Sequence, residues 1–213
     1  MSAMFLAGRQ SSDLPAAAIV AGCALIFTVA SFWWLNARQG RLTSYEPHSF
    51  AAVANETSTQ LRLPLVIYNT GAKPIVVQNL QLRFPDEPDT ALRLLWVTTR
   101  RYLKPDSGDG HAFAAAFPVG GREAKQLFVE FRAPFPDFVP QARDYKVSVE
   151  AKVGHHDDWR HLLTFTWQAA HMVDPGSYIT YRNTADDLTT DDVAKSDAAL
   201  KRLAAKAAAA RAS

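Results

Sequence analysis

Sulfur chemistry is almost absent from this chain: Cys23 is its only cysteine, and it lies inside an apolar run. No intramolecular disulfide can form, and structural zinc sites built from several cysteines are excluded. That scarcity fits a reducing compartment. An excess of charge of one sign is missing too. Lys and Arg number 23 against 21 Asp and Glu, a formal +2, so nothing in the overall balance argues for nucleic acid or an acidic substrate. Motifs that carry chemistry are equally scarce. Gly108-Asp109-Gly110 and Gly120-Gly121 lack the serine context of a nucleophile elbow, and neither opens a helix after a strand as a phosphate cradle requires. Asp and Glu pairs have no preferred spacing. The expectation is a non-enzymatic protein with no catalytic, cofactor-binding or metal-ligating residue to assign and no cofactor.

One absence is informative in the other direction. From Pro15 to Leu35 there is no charged residue, and the run closes on Phe32-Trp33-Trp34. About 20 apolar residues at roughly 1.5 Å rise each span a hydrocarbon core of about 30 Å. Indole rings favour the headgroup level, which makes Trp33 and Trp34 an expected interface anchor. The reading is a transmembrane helix over 15–36, a short tail over 1–14 and a juxtamembrane linker over 37–45, with the lipid bilayer as partner. Two alternatives compete. A cleaved signal peptide calls for a shorter apolar core, small residues before the cut and a stronger basic start, whereas Arg9 is opposed by Asp13. Val20-Ala21-Gly22-Cys23 resembles a bacterial lipobox, yet the chain stays apolar after Cys23 where a lipoprotein turns into a polar tether. A retained single-pass helix is therefore favoured. Arg38 and Arg41 beyond the run outweigh Arg9 before it, a weak lean towards a cytoplasmic C-terminal domain. Tethered β-sandwiches are associated with the opposite side. Ala17/Ala21 and Ala18/Gly22 are small-xxx-small pairs that permit a homodimer through the helix.

Beyond Ser49 the hydrophobic period becomes two. Leu61, Leu63, Leu65 and Ile67 share one face of a strand, with Pro64 implying an edge or a bulge. Asn69-Thr70-Gly71 reads as a turn. A strand from Pro74 to Phe84 changes phase at Gln78-Asn79, as a bulge would make it. Further strands are expected at 92–98, 112–119, 126–132, 145–153 and 159–167, the last with Leu163, Phe165 and Trp167 inward, and 49–53 adds one more. So many short alternating runs call for an antiparallel β-sandwich over 46–172. In general form, 45–170 resembles the immunoglobulin-like sandwiches common on single-pass membrane proteins, through its strand pattern and the Asn69-Thr70-Gly71 turn. The Cys…Trp…Cys spacing of antibody domains is missing. An acidic linker follows over 173–190, with Asp186 and Asp187 inside it and Asp191 and Asp192 just past its end. An Ala/Lys/Arg-rich helical tail over 191–213, capped by Thr190, is expected to fray unless something docks it.

Four groups remain as candidates. His155-His156-Asp157-Asp158 reads first as a solvated hairpin loop and second as metal ligands, with His161 or His111 as the third. Arg100-Arg101 with Lys104 reads as a loop or a headgroup contact. The aromatic and proline residues of 131–140 read as a rigid loop over the sandwich end. Lys201, Arg202, Lys206 and Arg211 could hold an anionic surface. The expected function is a membrane-anchored interaction or accessory module with a protein partner. The alternative is a tethered ligand- or metal-binding sensor.

Overall fold

The computed structural model describes residues 16–87, 92–106, 108–184 and 188–212. The tail over 1–14 and Asp186 and Asp187 fall outside them. Helix α1 (Ala16–Phe32) continues into a π-helical turn, Trp33–Ala37. Eleven antiparallel strands follow: β1 (Leu42–Ser44), β2 (Ser49–Ala54), β3 (Ser58–Asn69), β4 (Ile75–Arg83), β5 (Arg93–Arg100), β6 (His111–Phe113), β7 (Phe117–Val119), β8 (Ala124–Pro134), β9 (Asp144–Val153), β10 (Trp159–Gln168) and β11 (Ile179–Arg182). Helix α2 (Thr190–Ala212) ends the described chain.

The strands form one hydrogen-bonded sheet in the order β10-β9-β4-β5-β8-β3-β2-β11, with β1, β6 and β7 pairing on its flanks. The sheet folds on itself because β4 and β5 touch only through Gln81–Arg83 and Leu95–Arg93. The β10-β9-β4 leaf then faces the β8-β3-β2 leaf, and Phe50 of β2 meets Trp167 of β10 edge-on at 6.0 Å. Between the leaves lie the four alternating residues of β3, Leu61, Leu63, Leu65 and Ile67, all fully buried with Val129, Phe131, Val147 and Val149. The expected sandwich is the observed one.

Several local expectations are refined. The phase change in β4 is a bulge: pairing with β9 jumps between Val77 and Asn79, leaving Gln78 over. Pro64 is on neither an edge strand nor a bulge. It pairs with Phe128 of β8, and on its other flank β2 stops at Arg62 while β1 begins at Ile67. A residue without an N–H costs no ladder bond in that gap. The run over 112–119 is two short strands. In β10 a register shift between His161 and Leu163 turns Leu162 into the core and leaves Leu163 half-buried. The stretch over 173–190 is more than a linker, since β11 pairs with β2 as the outermost strand of its leaf.

The sandwich has two poles. At one end, where α1 arrives, stand the turns after β3, β7 and β9. At the other stand the β2–β3 turn, the 135–143 loop and the 3₁₀ turn Ala169–His171. That distal loop closes over the core as expected, with Phe138 buried against Phe84 at 5.1 Å and Tyr145 at 6.1 Å. Helix α2 docks at this same pole and does not fray. Ser196, Leu200, Leu203 and Ala207, a stripe at helical spacing, are buried, and Lys206 reaches Glu56 while Arg211 reaches the Pro136 and Asp137 carbonyls. Its cap is Thr189 rather than Thr190: the Thr189 hydroxyl accepts the Asp192 N–H at 3.1 Å. The basic tail thus lies at the pole away from α1, and three of its bases are already engaged within the chain, Lys201 pairing with Asp197 at 2.7 Å.

Because Leu200 and Leu203 are core residues, Leu200→Ala or Leu203→Ala is expected to cost about 2–4 kcal/mol. Exposed Arg202→Ala is expected to change stability by less than about 0.5 kcal/mol. Urea unfolding followed by tryptophan fluorescence measures both.

Candidate functional site

Two constellations stand out, one sealed and one open. The sealed one lies on the outer face of the β5-β8-β3 leaf. Strand alternation that puts Leu61 and Leu63 in the core puts Arg62 outside, and the same logic places Glu130 outside between Val129 and Phe131. Arg62 and Glu130 are direct cross-strand partners, with Thr98 of β5 opposite Glu130. Neither charge is solvated: Arg62 is 2% exposed and Glu130 0%. The segment after β5 and Tyr178 cover them. The Arg62 guanidinium donates to Asp109 Oδ2 at 3.0 Å, Glu130 Oε2 at 3.2 Å, the Tyr102 carbonyl at 2.8 Å and the Tyr178 hydroxyl at 3.2 Å. Tyr178 donates to Glu130 Oε2 at 2.7 Å, Thr98 donates to Glu130 Oε1 at 3.2 Å, and Arg100 Nε stands 3.5 Å from Glu130 Oε2.

Two guanidinium groups and two carboxylates balance, so the quartet carries no net charge. Burial pushes the Glu130 carboxyl upward, but the Tyr178 hydroxyl and the Arg100 and Arg62 charges outweigh burial and hold it below its ordinary value. Burial and then the Glu130 charge push the Tyr178 phenol far above its ordinary range. With the carboxylate oxygens and the Arg62 donors engaged inside the chain, the quartet has the character of a clasp, pinning residues 101–106, Asp109 and the approach to β11 against the sheet. Of the basic group Arg100-Arg101-Lys104, Arg100 belongs to this clasp, while Arg101 and Lys104 are exposed.

The open constellation is at the α1 pole. Residues 38–41, read as part of a linker, are stitched to the turn after β3. The Ala72 N–H donates to the Arg38 carbonyl at 2.9 Å and the Thr70 N–H to the Arg41 carbonyl at 3.1 Å; the Arg41 N–H returns to the Thr70 hydroxyl at 2.9 Å. Gly40 and Gly71 meet backbone to backbone: a Cβ on Gly71 would lie 2.0 Å from the Gly40 nitrogen, so neither position admits a side chain. Buried Asn69 braces the turn, donating to the Lys73 carbonyl at 2.8 Å and accepting the Gly71 N–H at 2.9 Å. Arg122 donates to the Trp34 carbonyl at 2.7 Å, and the Arg38 guanidinium lies 4.1 Å over the Trp34 ring.

Between this strap and the β9–β10 hairpin opens a cleft of about 590 Å³. Its lining brings together His155, His156 and His161 with Arg41, Lys73 and Arg160, and includes no carboxylate. Among the described residues none of Arg41, Lys73 and Arg160 has an ion-pair partner, and His161 Nε2 bonds only to the Thr164 hydroxyl at 2.7 Å. The hairpin histidines therefore do gather with His161, whereas His111 lies on β6 against Phe113. Asp157 and Asp158 stand exposed on the hairpin and are absent from the lining. Among the described residues no three His, Cys, Asp or Glu side chains group tightly enough to hold a metal ion. A larger hollow of about 800 Å³ at the distal pole mixes Glu87 and Asp137 with Arg93, Arg132 and Arg211, and so presents no single sign of charge.

Neither constellation is legible from spacing. Arg62 and Glu130 sit at alternation positions normally solvated, and the groups that cover Arg62 come from 40 and 116 residues away. The cleft's cations are scattered from Arg41 to His161. Only the adjacent histidines marked the place.

A scan of protein families and a search of curated proteins find no match to this chain. Among solved structures, a protein from Archaeoglobus fulgidus is similar over 67% of this chain and 98% of its own, at 11% identity and TM-score 0.33. An uncharacterised β-sandwich protein from Clostridium difficile 630 covers 61% and 85%, at 10% identity and TM-score 0.31. Beta-glucosidase 3B from Thermotoga neapolitana, solved with glucose, covers 67% of this chain and 17% of its own, at 11% identity and TM-score 0.24.

Two outcomes follow from the geometry. Removing one member of the quartet leaves Arg62 short of a counter-charge, so Glu130→Gln is expected to cost about 3 kcal/mol. A carboxyl held below its unfolded value, about 4.3, contributes stability above that pH and loses it as pH falls through the folded value. Calorimetry from about pH 5 to about pH 3 should accordingly show a steeper fall in Tm for the wild type than for Glu130→Gln. At the strap, Gly71→Val is expected to break the contact with Gly40. Amide exchange at Thr70 and Ala72 should accelerate roughly tenfold or more, with β8 amides unchanged.

Proposed function

We propose that this protein is a single-pass, membrane-anchored β-sandwich acting as a non-enzymatic binding module held directly against the bilayer. The observation that carries the reading is α1 together with its strap. Among the described residues, Ala16–Ala37 is the one helix long and apolar enough to cross a membrane, and none of it is buried. Ile26 and Phe27 are 71% and 75% exposed. A signal sequence meets the same length and composition test, so the argument for retention lies past the apolar run. Trp33 and Trp34 stand at its end, Arg122 hydrogen-bonds the Trp34 carbonyl, and residues 38–41 are part of the folded turn. Cutting at Cys23 would leave the hydrophobic remainder of α1 attached to the sandwich with nothing covering it.

The bases around the strap, Arg38, Arg41, Lys73 and Arg122, support a cytoplasmic placement of the sandwich, where leaflets are anionic. Ala17, Ala21, Ala18 and Gly22 leave a smooth stripe on α1 for a second copy of the chain. A protein partner would meet the sandwich on its exposed sides. The alternative reading, a tethered ligand sensor, is favoured by one observation, the basic cleft beside the strap, and that cleft suits an anion better than a metal.

Alkaline carbonate treatment of membranes tests the anchor: the full chain is expected to stay in the pellet with α1 intact by mass spectrometry. Release into the supernatant, or a mature chain starting at or after Cys23, overturns it. A tag at the C-terminus is expected to survive protease added outside intact cells. Its removal would place the sandwich on the outer side.

A further inference from the structure

The cleft beside the strap combines three features. Its charged residues are all basic: Arg41, Lys73 and Arg160 come from three separate segments, His155, His156 and His161 stand beside them, and the rest of the lining is neutral with no acid. Its three permanent cations are exposed and unpaired among the described residues, unlike Arg62 and Arg100, which the fold neutralises internally. Its position is fixed, because the wall containing Arg41 is only seven residues past Trp34 and is hydrogen-bonded to the body. At roughly 3.3 Å per extended residue, seven residues reach at most about 23 Å, so the cleft stays close to the indole end of α1.

An unneutralised basic recess costs folding free energy through self-repulsion and gains it back when an anion arrives. Mixed-sign charge would serve solubility as well, and the distal hollow has that arrangement. A recess of one sign facing the bilayer surface matches a phosphate ester. Guanidinium groups bind its oxygens in pairs, an ammonium adds a point charge, and imidazole N–H groups donate to the remaining oxygens.

We propose that this cleft binds the phosphate of an anionic phospholipid headgroup from the leaflet against which the sandwich is held. The proposal rests on the membrane-anchored reading given above and deepens it by naming a ligand class. The lipid phosphate sits between Arg41 on the strap and Arg160 and the histidines on the hairpin, with Lys73 at the base of the β3–β4 turn. Binding ties the two walls together and sets the rotation of the sandwich about the α1 axis. The acyl chains remain in the bilayer, so the cleft needs room for the headgroup alone, which about 590 Å³ supplies.

The test uses the full chain in zwitterionic detergent micelles and in nanodiscs. Short-chain phosphatidylglycerol, short-chain phosphatidylcholine and inorganic phosphate are titrated separately while the imidazole NMR signals of His155, His156 and His161 are followed. Phosphatidylglycerol is expected to shift all three signals saturably, with phosphatidylcholine much weaker. Each base removed is expected to weaken binding about fivefold, and the triple variant Arg41→Ala, Lys73→Ala, Arg160→Ala roughly a hundredfold. Arg160→Glu alone serves as the second variant, since Arg160 is exposed on a strand surface and its loss leaves the core untouched. Unchanged affinity in both variants overturns the cleft as the site. Inorganic phosphate binding as tightly as phosphatidylglycerol overturns the lipid as the ligand. Failure of the anchor would show separately, as loss of the protein from nanodiscs and carbonate pellets with the micelle titration intact.

Discussion

Two glycines in backbone contact govern what this molecule can do. Gly40 and Gly71 allow the segment leaving α1 to lie flat on the turn after β3, and the Arg38–Ala72 and Arg41–Thr70 hydrogen bonds close that contact. A flexible linker would let the sandwich sample a wide volume above a surface. Here the helix end, the strap and the sheet form a continuous hydrogen-bonded path, and a tilt of one part is passed on to the rest. The basic cleft has a defined position relative to α1 only because of that path.

The sandwich body solves a different problem. Small β-proteins often leave the outer face of a sheet to solvent, but the β5-β8-β3 leaf has a second layer made of residues 101–106, Asp109 and Tyr178. A balanced set of charges holds that layer. Desolvating four charges is costly, and the cost is tolerable here because the guanidinium donors of Arg62 and both carboxylate oxygens of Glu130 have partners. Such a network specifies one docking geometry for the covering loop where greasy contact would allow several.

Much of the architecture could be read from the chain because it depends on period. Leu61, Leu63, Leu65 and Ile67 announce both strand and face, and the phase change at Gln78 announces its bulge. What could not be read depends on three-dimensional neighbours. Pro64 reads from the sequence as an edge or bulge marker, and its actual licence is the gap between β2 and β1. Leu163 lost its core place to Leu162 because a register shift leaves no trace in alternation. The segment over 173–190 looked like a linker because a four-residue strand beside a turn carries little pattern. The candidate cleft was glimpsed only through His155 and His156. Its cations join them by folding, and nothing in the spacing from Arg41 to Arg160 foretells that they meet.

Helix α2 carries a consequence for how the chain comes to be. The stripe of Leu200, Leu203 and Ala207 that seals the distal mouth is made after all eleven strands. At about 5–20 residues per second, synthesis of these 23 residues takes roughly 1–5 s. For that interval the sandwich, joined to α1 at its other pole, lacks the helix that covers its distal end. Its last stage of maturation is thus a plug inserted from the side opposite α1, and a chain ending short of Thr190 would be a target for chaperones because its distal mouth stays open.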